Sequence, residues 1–488
     1  MIDKFRTALA SKLPPGSFIR NVVTLMTGTT FAQALMILVA PILTRLYTPE
    51  DYGVYALYSS ILGILAVVAC WRYELAIVLP EKDEDAANLL VLSICICFGM
   101  ALLTLALVAL FRNPVANLLG APELAPWLWF MPLSLIAAGL FQAFNYWSTR
   151  RKQFRRLAVR QITQSTVTAA TQLGTGFVLH PGPGGLISGS IIGQLVATGR
   201  LVWQTYKDDK KHFLAIKLWL IKDQFVEFRR FPQMLTWSGL LNTFSAQLPV
   251  ILMSYFFGPG IVAYYVLGYR VLTVPMTLVG NSVAQTFFPW GTEAYRRGEL
   301  GSSVIKISTV MFNIVLVPIV LIMICGPDLF TFVFGNAWRT AGEYIVWLSP
   351  WILFQFISSP LSSVFLILQR QDINLFFDGL LFLLRVAIIM IGGSLNNPLL
   401  TIQIYGITSA VFYFIACIIV FKLTSVDYRV ALEKFLFILK GGIPFILIPV
   451  LIKMFYYIPN RLLTVTVICG FLFVLSMFRS TFIQEVKD

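Results

Sequence analysis

The chain has 488 residues, of which 58% are hydrophobic and 12% are charged, and its mean hydropathy is +0.79. Soluble globular proteins carry roughly 25% charged residues, so this composition excludes a soluble fold and indicates a polytopic membrane protein. The formal net charge is +14. In a soluble protein this charge would suggest a nucleic-acid partner. Since Lys and Arg accumulate in the cytoplasmic loops of membrane proteins, we expect no nucleic-acid partner here.

Fourteen apolar runs follow one another along the chain, and most have the roughly 20 residues that cross a bilayer as a helix. The pattern predicts an all-α polytopic membrane protein with about 14 transmembrane helices. The connections between runs are too short to hold an active site, so we expect no catalytic residue. The runs fall at residues 22–46, 52–79, 88–111, 124–147, 157–179, 185–206, 234–257, 262–290, 304–325, 341–366, 375–393, 399–421, 436–457 and 461–478.

The cysteines lie within apolar runs and the two histidines, His180 and His212, are isolated. None of these residues has metal-ligand spacing, so we expect no metal site, no cofactor and no disulfide framework. The first 20 residues are basic and hold no apolar run, so no cleavable signal peptide is expected. The cysteines are Cys70, Cys95, Cys97, Cys325, Cys417 and Cys469.

The distribution of basic residues favours one orientation in the membrane. If the N-terminus is cytoplasmic, the cytoplasmic connections carry 28 Lys and Arg and the outer connections carry 5. This asymmetry predicts that both termini are cytoplasmic. The longest connection, residues 207–233, contains KLWLIKDQF, a pattern that favours an amphipathic helix on the membrane surface. Arg45 and Arg200 lie near span ends, where we expect their side chains to reach the membrane surface.

The hairpin at residues 21–79 has a counterpart six spans later. With a shift of 210 residues, PEDYGVYAL aligns with PGIVAYYVL and three of nine positions are identical. An even number of spans per repeat predicts two parallel, pseudo-symmetric six-helix lobes. The predicted domains are an N-terminal lobe at 1–206, a basic cytoplasmic linker at 207–233, a C-terminal lobe at 234–421, and two additional spans with a cytoplasmic tail at 422–488.

Four charged side chains lie deep in predicted spans, where a charge costs about 2.5 kcal/mol or more. They are Arg72 and Glu74 in span two, Arg270 in span eight and Arg385 in span eleven. Because guanidinium stays charged and pairs bidentately with phosphate, the sequence predicts a site for an anionic, phosphate-bearing substrate. The alternative is that Arg72 and Glu74 form a structural pair or reach the inner interface. Residues two apart on a helix do not face each other, which weighs against such a pair.

Uncharged polar and aromatic residues accompany these charges, and amides with aromatic faces suit a sugar ligand. The alternative is that the amides form hydrogen bonds between helices, which is common in membranes. The candidate amides are Gln33 in span one, Asn242 and Gln247 in span seven, and Asn281 and Gln285 in span eight. The aromatic residues on the same helices are Trp237, Tyr264, Tyr265 and Tyr269.

Three stretches resemble bacterial polysaccharide flippases: APILTRLYTPEDYGVYALY, WRYELAIVLPEKDEDAANLL and FNYWSTRRKQFRRLA. The chain is similar, over essentially its whole length in span number and topology, to the Wzx-type branch of the multidrug/oligosaccharidyl-lipid/polysaccharide exporter superfamily. The resemblance implies two six-helix lobes in a V, two further C-terminal helices, and a cavity lined by spans one, two, seven and eight. Arg72 and Arg270 lie on those spans. Arg385, on span eleven, fits this cavity less well.

The resulting hypothesis is a flippase, not an enzyme, in the bacterial inner membrane. It would move undecaprenyl-pyrophosphate-linked oligosaccharide from the cytoplasmic to the periplasmic leaflet for O-antigen, capsule or exopolysaccharide synthesis. Expected partners are that substrate, the lipid bilayer, and a polysaccharide polymerase with a chain-length regulator. The alternatives are a cation-coupled drug antiporter of the same superfamily and a membrane polysaccharide polymerase. Energy coupling through a proton on Glu74 or through the membrane potential stays open.

Overall fold

The computed structural model describes residues 18–178, 182–213, 218–276 and 281–455, together with 465–466, 468–470 and 472–473. The regular secondary structure of these residues is helical, as the apolar runs predict, and they contain no strand. By its internal contacts the chain divides into two compact units, Met1–Gly260 and Ile261–Asp488.

The first unit contains ten helices among the described residues, and an eleventh helix crosses its boundary. The helices are α1 Phe18–Leu46, α2 Pro49–Val68, α3 Tyr73–Ala76, α4 Asp83–Leu118, α5 Ala125–Leu128, α6 Met131–Arg150, α7 Phe154–Val178, α8 Pro183–Phe213, α9 Leu218–Glu227, α10 Thr236–Phe257 and, across the boundary, α11 Pro259–Pro275. A 3-10 helix, Pro122–Leu124, precedes α5, and a π-helical turn, Phe231–Leu235, precedes α10.

The second unit continues with seven helices in its described part. They are α12 Asn281–Arg296, α13 Leu300–Phe334, α14 Arg339–Leu361, α15 Ser363–Ile367, α16 Gln371–Ser394, α17 Pro398–Leu423 and α18 Tyr428–Phe455. A 3-10 helix, Asn336–Trp338, precedes α14. Helix α14 packs against α13 and α17, α16 packs against α17, and α18 packs against α13.

Helix α2 begins at Pro49, three residues before the predicted run at 52–79. The hydroxyl of Thr48 accepts a hydrogen bond from the backbone N–H of Asp51 (3.2 Å), and the Asp51 carboxylate accepts one from the Thr48 N–H (2.9 Å). Pro49 occupies the first turn, where its missing N–H costs nothing. One turn later, Gly53 lies so close to the backbone of Pro259 that a side chain would collide with it. The tight contact leaves room only for glycine at position 53.

Helix α7 is polar in sequence, yet it packs between α1 and α8. Its polar groups find partners there: Tyr47 Oη donates to the Gln172 carbonyl (2.7 Å), and Gln172 Nε2 donates to the Leu186 carbonyl (2.9 Å). Buried polar groups with hydrogen-bond partners avoid the desolvation penalty. Helix α8 also packs against α2 and α6, and α10 packs against α2 within the first unit. The predicted lobe boundaries stay a prediction, since a lobe is defined by how it moves.

Local features recur in the same order in the two units. The long helices α4 and α13 are each followed by a glycine of positive φ, Gly120 (64°) and Gly335 (103°), and then by a 3-10 helix. Lys152 (φ 55°) and Gln369 (φ 56°) precede the next pair of corresponding helices, α7 and α16. The pairing of α7 with α8 recurs as that of α16 with α17. This recurrence supports the internal repeat that the hairpin motif indicates.

Ten of the described helices are long and apolar enough to cross a membrane, or eleven if the bent pair Pro122–Leu128 and Met131–Arg150, which meet at 58°, counts as one span. The sequence predicts about 14 transmembrane helices. Helix α7 falls short because of its polar residues, and the run 262–290 is described as two helices, α11 and α12. The run 461–478 lies mostly outside the described residues.

Candidate functional site

The apolar run at 52–79 is not one continuous helix, and that prediction is wrong. Helix α2 ends at Val68, and Trp71 (φ 49°) and Arg72 (φ 63°) adopt a left-handed backbone. This conformation costs a non-glycine residue about 1–2 kcal/mol. Helix α3 follows at once, its first residue donating from Tyr73 N to the Cys70 carbonyl (3.1 Å). Because strained backbone clusters at binding sites, the break marks this turn as a candidate site.

The turn changes the relation between Arg72 and Glu74. In a continuous helix these side chains would diverge, whereas here Arg72 Nη1 lies 3.9 Å from Glu74 Oε1. This is an ion-pair distance without a hydrogen bond. Glu74 is 1% exposed, and neither its Oε2 nor Arg72 Nε has a hydrogen-bond partner among the described residues. Both atoms are buried, so the pair carries unsatisfied hydrogen-bonding groups at the helix break.

Glu74 lies on α3, between the membrane-capable helices α2 and α4 and outside both of them. Burial raises the pKa of its carboxyl to about 7, and a backbone hydrogen bond and the charge of Arg72 offset only part of this effect. A carboxyl with such a pKa gains or loses its proton near neutral pH. This property keeps proton coupling through Glu74 open.

Arg72 points at helix α10. A side chain at Gly239 would collide with the guanidinium of Arg72, so the glycine provides the space in which that group lies. Asn242 is exposed one turn further along α10, and positions three apart share a helix face. A Cβ at Gly63 on α2 would lie 3.8 Å from Gln247 Nε2. The structure thus brings Arg72 and two candidate amides to the facing surfaces of α2–α3 and α10.

Gln33 is half-buried on α1, which packs against α7. The described contacts therefore do not join it to the Arg72 turn. Helix α3 itself is held from the other side by Tyr73, whose Oη donates to the Phe225 carbonyl (2.9 Å) and whose ring stacks on Phe225 at 5.5 Å. Phe225 belongs to α9, the helix predicted in the connection 207–233. This helix packs against α4, so it makes protein contacts in addition to any membrane contact.

Arg385 is more closely surrounded than the sequence indicated. Its guanidinium carbon lies 4.5 Å from the ring centroid of Trp351 on α14 and 5.2 Å from that of Tyr405 on α17. Nε donates to Ser409 Oγ (3.2 Å), while Nη2 is enclosed without a hydrogen-bond partner among the described residues. Tyr269 on α11 stacks on Trp351 at 5.3 Å. The second unit thus has a cationic aromatic cluster, in which one guanidinium nitrogen is buried without a hydrogen-bond partner among the described residues.

Arg270 follows Tyr269 on α11, and its side chain is exposed. No ion pair joins it to another residue of the described ranges. Thr273 Oγ1 donates to the carbonyls of Tyr269 (2.9 Å) and Arg270 (3.2 Å), which ties the last turn of α11. Asn281 and Gln285 lie on α12, and their side chains are outside the described part of the structure. Arg270 therefore presents an exposed positive charge on α11 without an ion-pair partner among the described residues.

A second set of charged residues forms ion pairs that the sequence does not predict; from the sequence they only contribute to the charge of the cytoplasmic connections. Arg150 and Arg151 both bind Asp83, at 2.9 and 2.7 Å, and Arg156 binds Asp209 at 3.1 Å. Asp209 is 4% exposed and sits where α8 departs from helical dihedrals. These pairs tie the ends of α4, α6, α7 and α8 together. The FNYWSTRRKQFRRLA motif contains the three arginines but no sign of their acidic partners.

The described helices define a multi-pass membrane protein. Two solved structures share the fold. The first is "Lipid II flippase MurJ, inward closed conformation", with a TM-score of 0.72 and 15% identity, covering 96% of this chain and 100% of that chain. The second is an inward-facing multidrug resistance MATE family transporter of the MOP superfamily, with a TM-score of 0.63 and 14% identity, covering 88% of this chain and 98% of that chain.

Residues 42–343 match the family described as "Polysaccharide biosynthesis protein", and the chain belongs to this family. It is 24% identical to the succinoglycan biosynthesis transport protein ExoT of Rhizobium meliloti over 66% of this chain and 63% of that protein. It is 23% identical to the teichuronic acid biosynthesis protein TuaB of Bacillus subtilis over 62% and 61%. The matches thus span less than two thirds of these relatives. The resemblance to polysaccharide flippases of the exporter superfamily is confirmed.

Proposed function

We propose that the protein is a flippase for undecaprenyl-pyrophosphate-linked oligosaccharide. The observation that carries this proposal is Arg72: its side chain is 24% exposed, its guanidinium faces α10, and it lies 3.9 Å from Glu74 without a hydrogen bond to it. An arginine held by a strained turn at the surface of membrane helices suits a pyrophosphate, which accepts bidentate hydrogen bonds. Family membership and the flippase-like fold support the same function.

In this proposal the pyrophosphate binds positive groups and the sugars bind amide and aromatic groups. Arg72 and Arg270 contact the phosphates, while Asn242, Gln247 and, on α12, Asn281 and Gln285 contact the glycan. The lipid tail stays in the bilayer. Since no bond forms or breaks, the protein acts as a transporter and not as an enzyme. Gln33 and Arg385 are proposed as peripheral contributors, Arg385 through its aromatic cluster.

The transport path runs from the cytoplasmic to the periplasmic leaflet of the inner membrane. We propose that lobes 1–206 and 234–421 alternate in opening, with the linker 207–233 between them and residues 422–488 as added spans. The Lys and Arg distribution supports cytoplasmic termini. A polymerase and a chain-length regulator that receive the flipped glycan are proposed partners.

Relatives are named for succinoglycan, teichuronic acid and lipopolysaccharide biosynthesis. These names support a bacterial surface glycan, such as an exopolysaccharide, capsule or O-antigen, as the product to which this flippase contributes. They differ in the sugars they imply, so the proposal is limited to the shared feature, an oligosaccharide on an anionic lipid carrier.

The test is to delete the gene in its host and to extract the lipid-linked oligosaccharides that accumulate. We expect an undecaprenyl-pyrophosphate oligosaccharide to accumulate on the cytoplasmic side while surface polysaccharide is lost. Arg270→Ala should reproduce this loss at normal protein level. Arg297→Ala, which removes an exposed arginine paired with Glu293 one turn away, should restore export. Normal surface polysaccharide in the deletion strain, with increased drug sensitivity, would favour the drug antiporter instead.

A further inference from the structure

A groove on the first unit lies between α6 and α8, away from the Arg72 turn. It has a volume of about 410 Å³, is open along one side, and is lined almost wholly by apolar atoms. The small residues Ala137 on α6 and Gly199 on α8 give the groove its depth. A Cβ added at Gly199 would meet no atom within 4 Å. Thr198 Oγ1 donates to the Ala137 carbonyl (3.4 Å), which joins the two helices along the groove.

The length and ends of the groove match one leaflet of a bilayer. On α8 it is lined from Leu195 to Tyr206, which corresponds to about 16 Å of helix. The hydrocarbon core is about 30 Å thick, so the groove covers roughly half of it. At one end lie Trp203 and Tyr206, which are 62% and 54% exposed. Exposed Trp and Tyr are typical of the membrane–water interface.

Positive charge continues from this aromatic end. Lys207 Nζ lies 5.4 Å from the ring centroid of Trp203, and Lys210 and Lys211 follow as exposed residues on the next turn. The acids of the same turn point elsewhere: Asp208 and Asp209 both bind Arg156 on α7, at 2.8 and 3.1 Å. The lysines therefore keep their charge available at the mouth of the groove.

An apolar groove that is one leaflet long, with an aromatic end and exposed lysines, fits a lipid with an anionic headgroup. We propose that the groove binds one acyl chain of an anionic phospholipid, whose phosphate lies beside Lys207. The proposed orientation makes this a lipid of the cytoplasmic leaflet. The groove residues are separate from the substrate candidates, so this site is additional to the transport path.

The test uses the full-length protein, purified and studied by native mass spectrometry in an equal mixture of phosphatidylglycerol and phosphatidylethanolamine. Gly199→Leu fills the groove from a position with open space in front of it. Its control is Gly99→Leu on α4, another exposed glycine with no atom within 4 Å of a Cβ. Lys207→Gln removes the headgroup charge, and Lys306→Gln removes an exposed lysine from α13 as its control.

We expect the wild type, Gly99→Leu and Lys306→Gln to retain phosphatidylglycerol in preference to phosphatidylethanolamine. Gly199→Leu should lose the bound lipid, and Lys207→Gln should reduce the preference about fivefold, as loss of one membrane-facing lysine implies. Wild-type retention in both variants would overturn the proposal. If Gly199→Leu does not fold, the result with Lys207→Gln decides. Loss of glycan export by Gly199→Leu with unchanged phospholipid retention would show that the occupant is the tail of the transported lipid, which also overturns it.

Discussion

The space in front of Gly239 allows the role of Arg72 to be tested without touching Arg72. In Gly239→Ala, the new Cβ would collide with Nη2, the far end of a flexible side chain. The guanidinium must therefore move away, while the backbone of α10 can stay in place. Ala also favours a helix over Gly by about 1 kcal/mol. We expect the melting temperature of the purified protein to stay at or above that of the wild type.

The effect on transport follows from the hydrogen bonds that Arg72 makes to phosphate. A hydrogen bond to a charged group contributes about 1.5–3 kcal/mol, and each 1.36 kcal/mol changes a rate tenfold. Displacement of the guanidinium should therefore reduce transport about 10- to 150-fold. The assay is the rate of surface polysaccharide synthesis per molecule of protein, in a deletion strain that expresses each variant at a level where export limits the rate.

Two comparisons isolate the cause. Gly63→Ala on the facing helix α2 places a Cβ at an ordinary contact distance of 3.8 Å from Gln247 Nε2, and it should export like the wild type. In an Arg72→Ala background, Gly239→Ala should add no further loss, since both changes remove the same interaction. Wild-type export by Gly239→Ala, or a full additional loss in the double variant, would refute the role assigned to Arg72.

Three further predictions concern charged groups. The raised pKa of Glu74, about 7, means that the folded protein keeps a proton that the unfolded chain releases from about pH 4.5 upward. The stability of the wild type should therefore fall as pH rises from about 4.5 to 7. The melting temperature of Glu74→Gln should fall less over this range; the same pH dependence in both proteins would contradict the raised pKa. Asp209→Asn should destabilise the first unit by about 1.5–3 kcal/mol, because it removes the buried one of the two carboxylates that bind Arg156 and leaves only the exposed Asp208. Asp208→Asn, at a 54% exposed position, should cost less than about 1 kcal/mol in the same urea titration; equal effects would contradict the burial argument. Arg385→Lys keeps the charge but loses the contact of the guanidinium with the ring of Trp351, so the free energy of unfolding should fall by about 0.5–2 kcal/mol; an unchanged value would show that the ring contact contributes nothing.

The helical class and most helix positions could be predicted from the sequence, because apolar runs of sufficient length admit few alternatives in a membrane. The N-terminus of α2 lies at Pro49, three residues before the predicted run at 52–79, because Thr48 and Asp51 form a capping box there. The break after Val68 could not be predicted from the sequence. The run continues as apolar residues on both sides of it, and its left-handed positions are Trp71 and Arg72, neither of which signals a positive φ.

The surroundings of the candidate residues were also beyond sequence reasoning. The partners of Arg385 lie on α14 and α17, and such contacts depend on helix packing and not on local pattern. Gly239 carries no signal of its own either, because a glycine in an apolar helix is common in membranes. The sequence could therefore propose Arg72 and Glu74 as site residues, but their mutual approach required the turn between α2 and α3.

The central claim, that this protein moves a lipid-linked oligosaccharide by means of Arg72 and Arg270, is tested most directly in vesicles. The purified full-length protein is reconstituted with labelled undecaprenyl-pyrophosphate oligosaccharide, and a membrane-impermeant glycosidase is added outside. With wild-type protein, we predict that the fraction of labelled lipid open to cleavage rises with time from the outer-leaflet value towards completion. Arg72→Ala and Arg270→Ala should hold it at the value of protein-free vesicles. A wild type that behaves like protein-free vesicles, or arginine variants that match the wild type, would contradict the account.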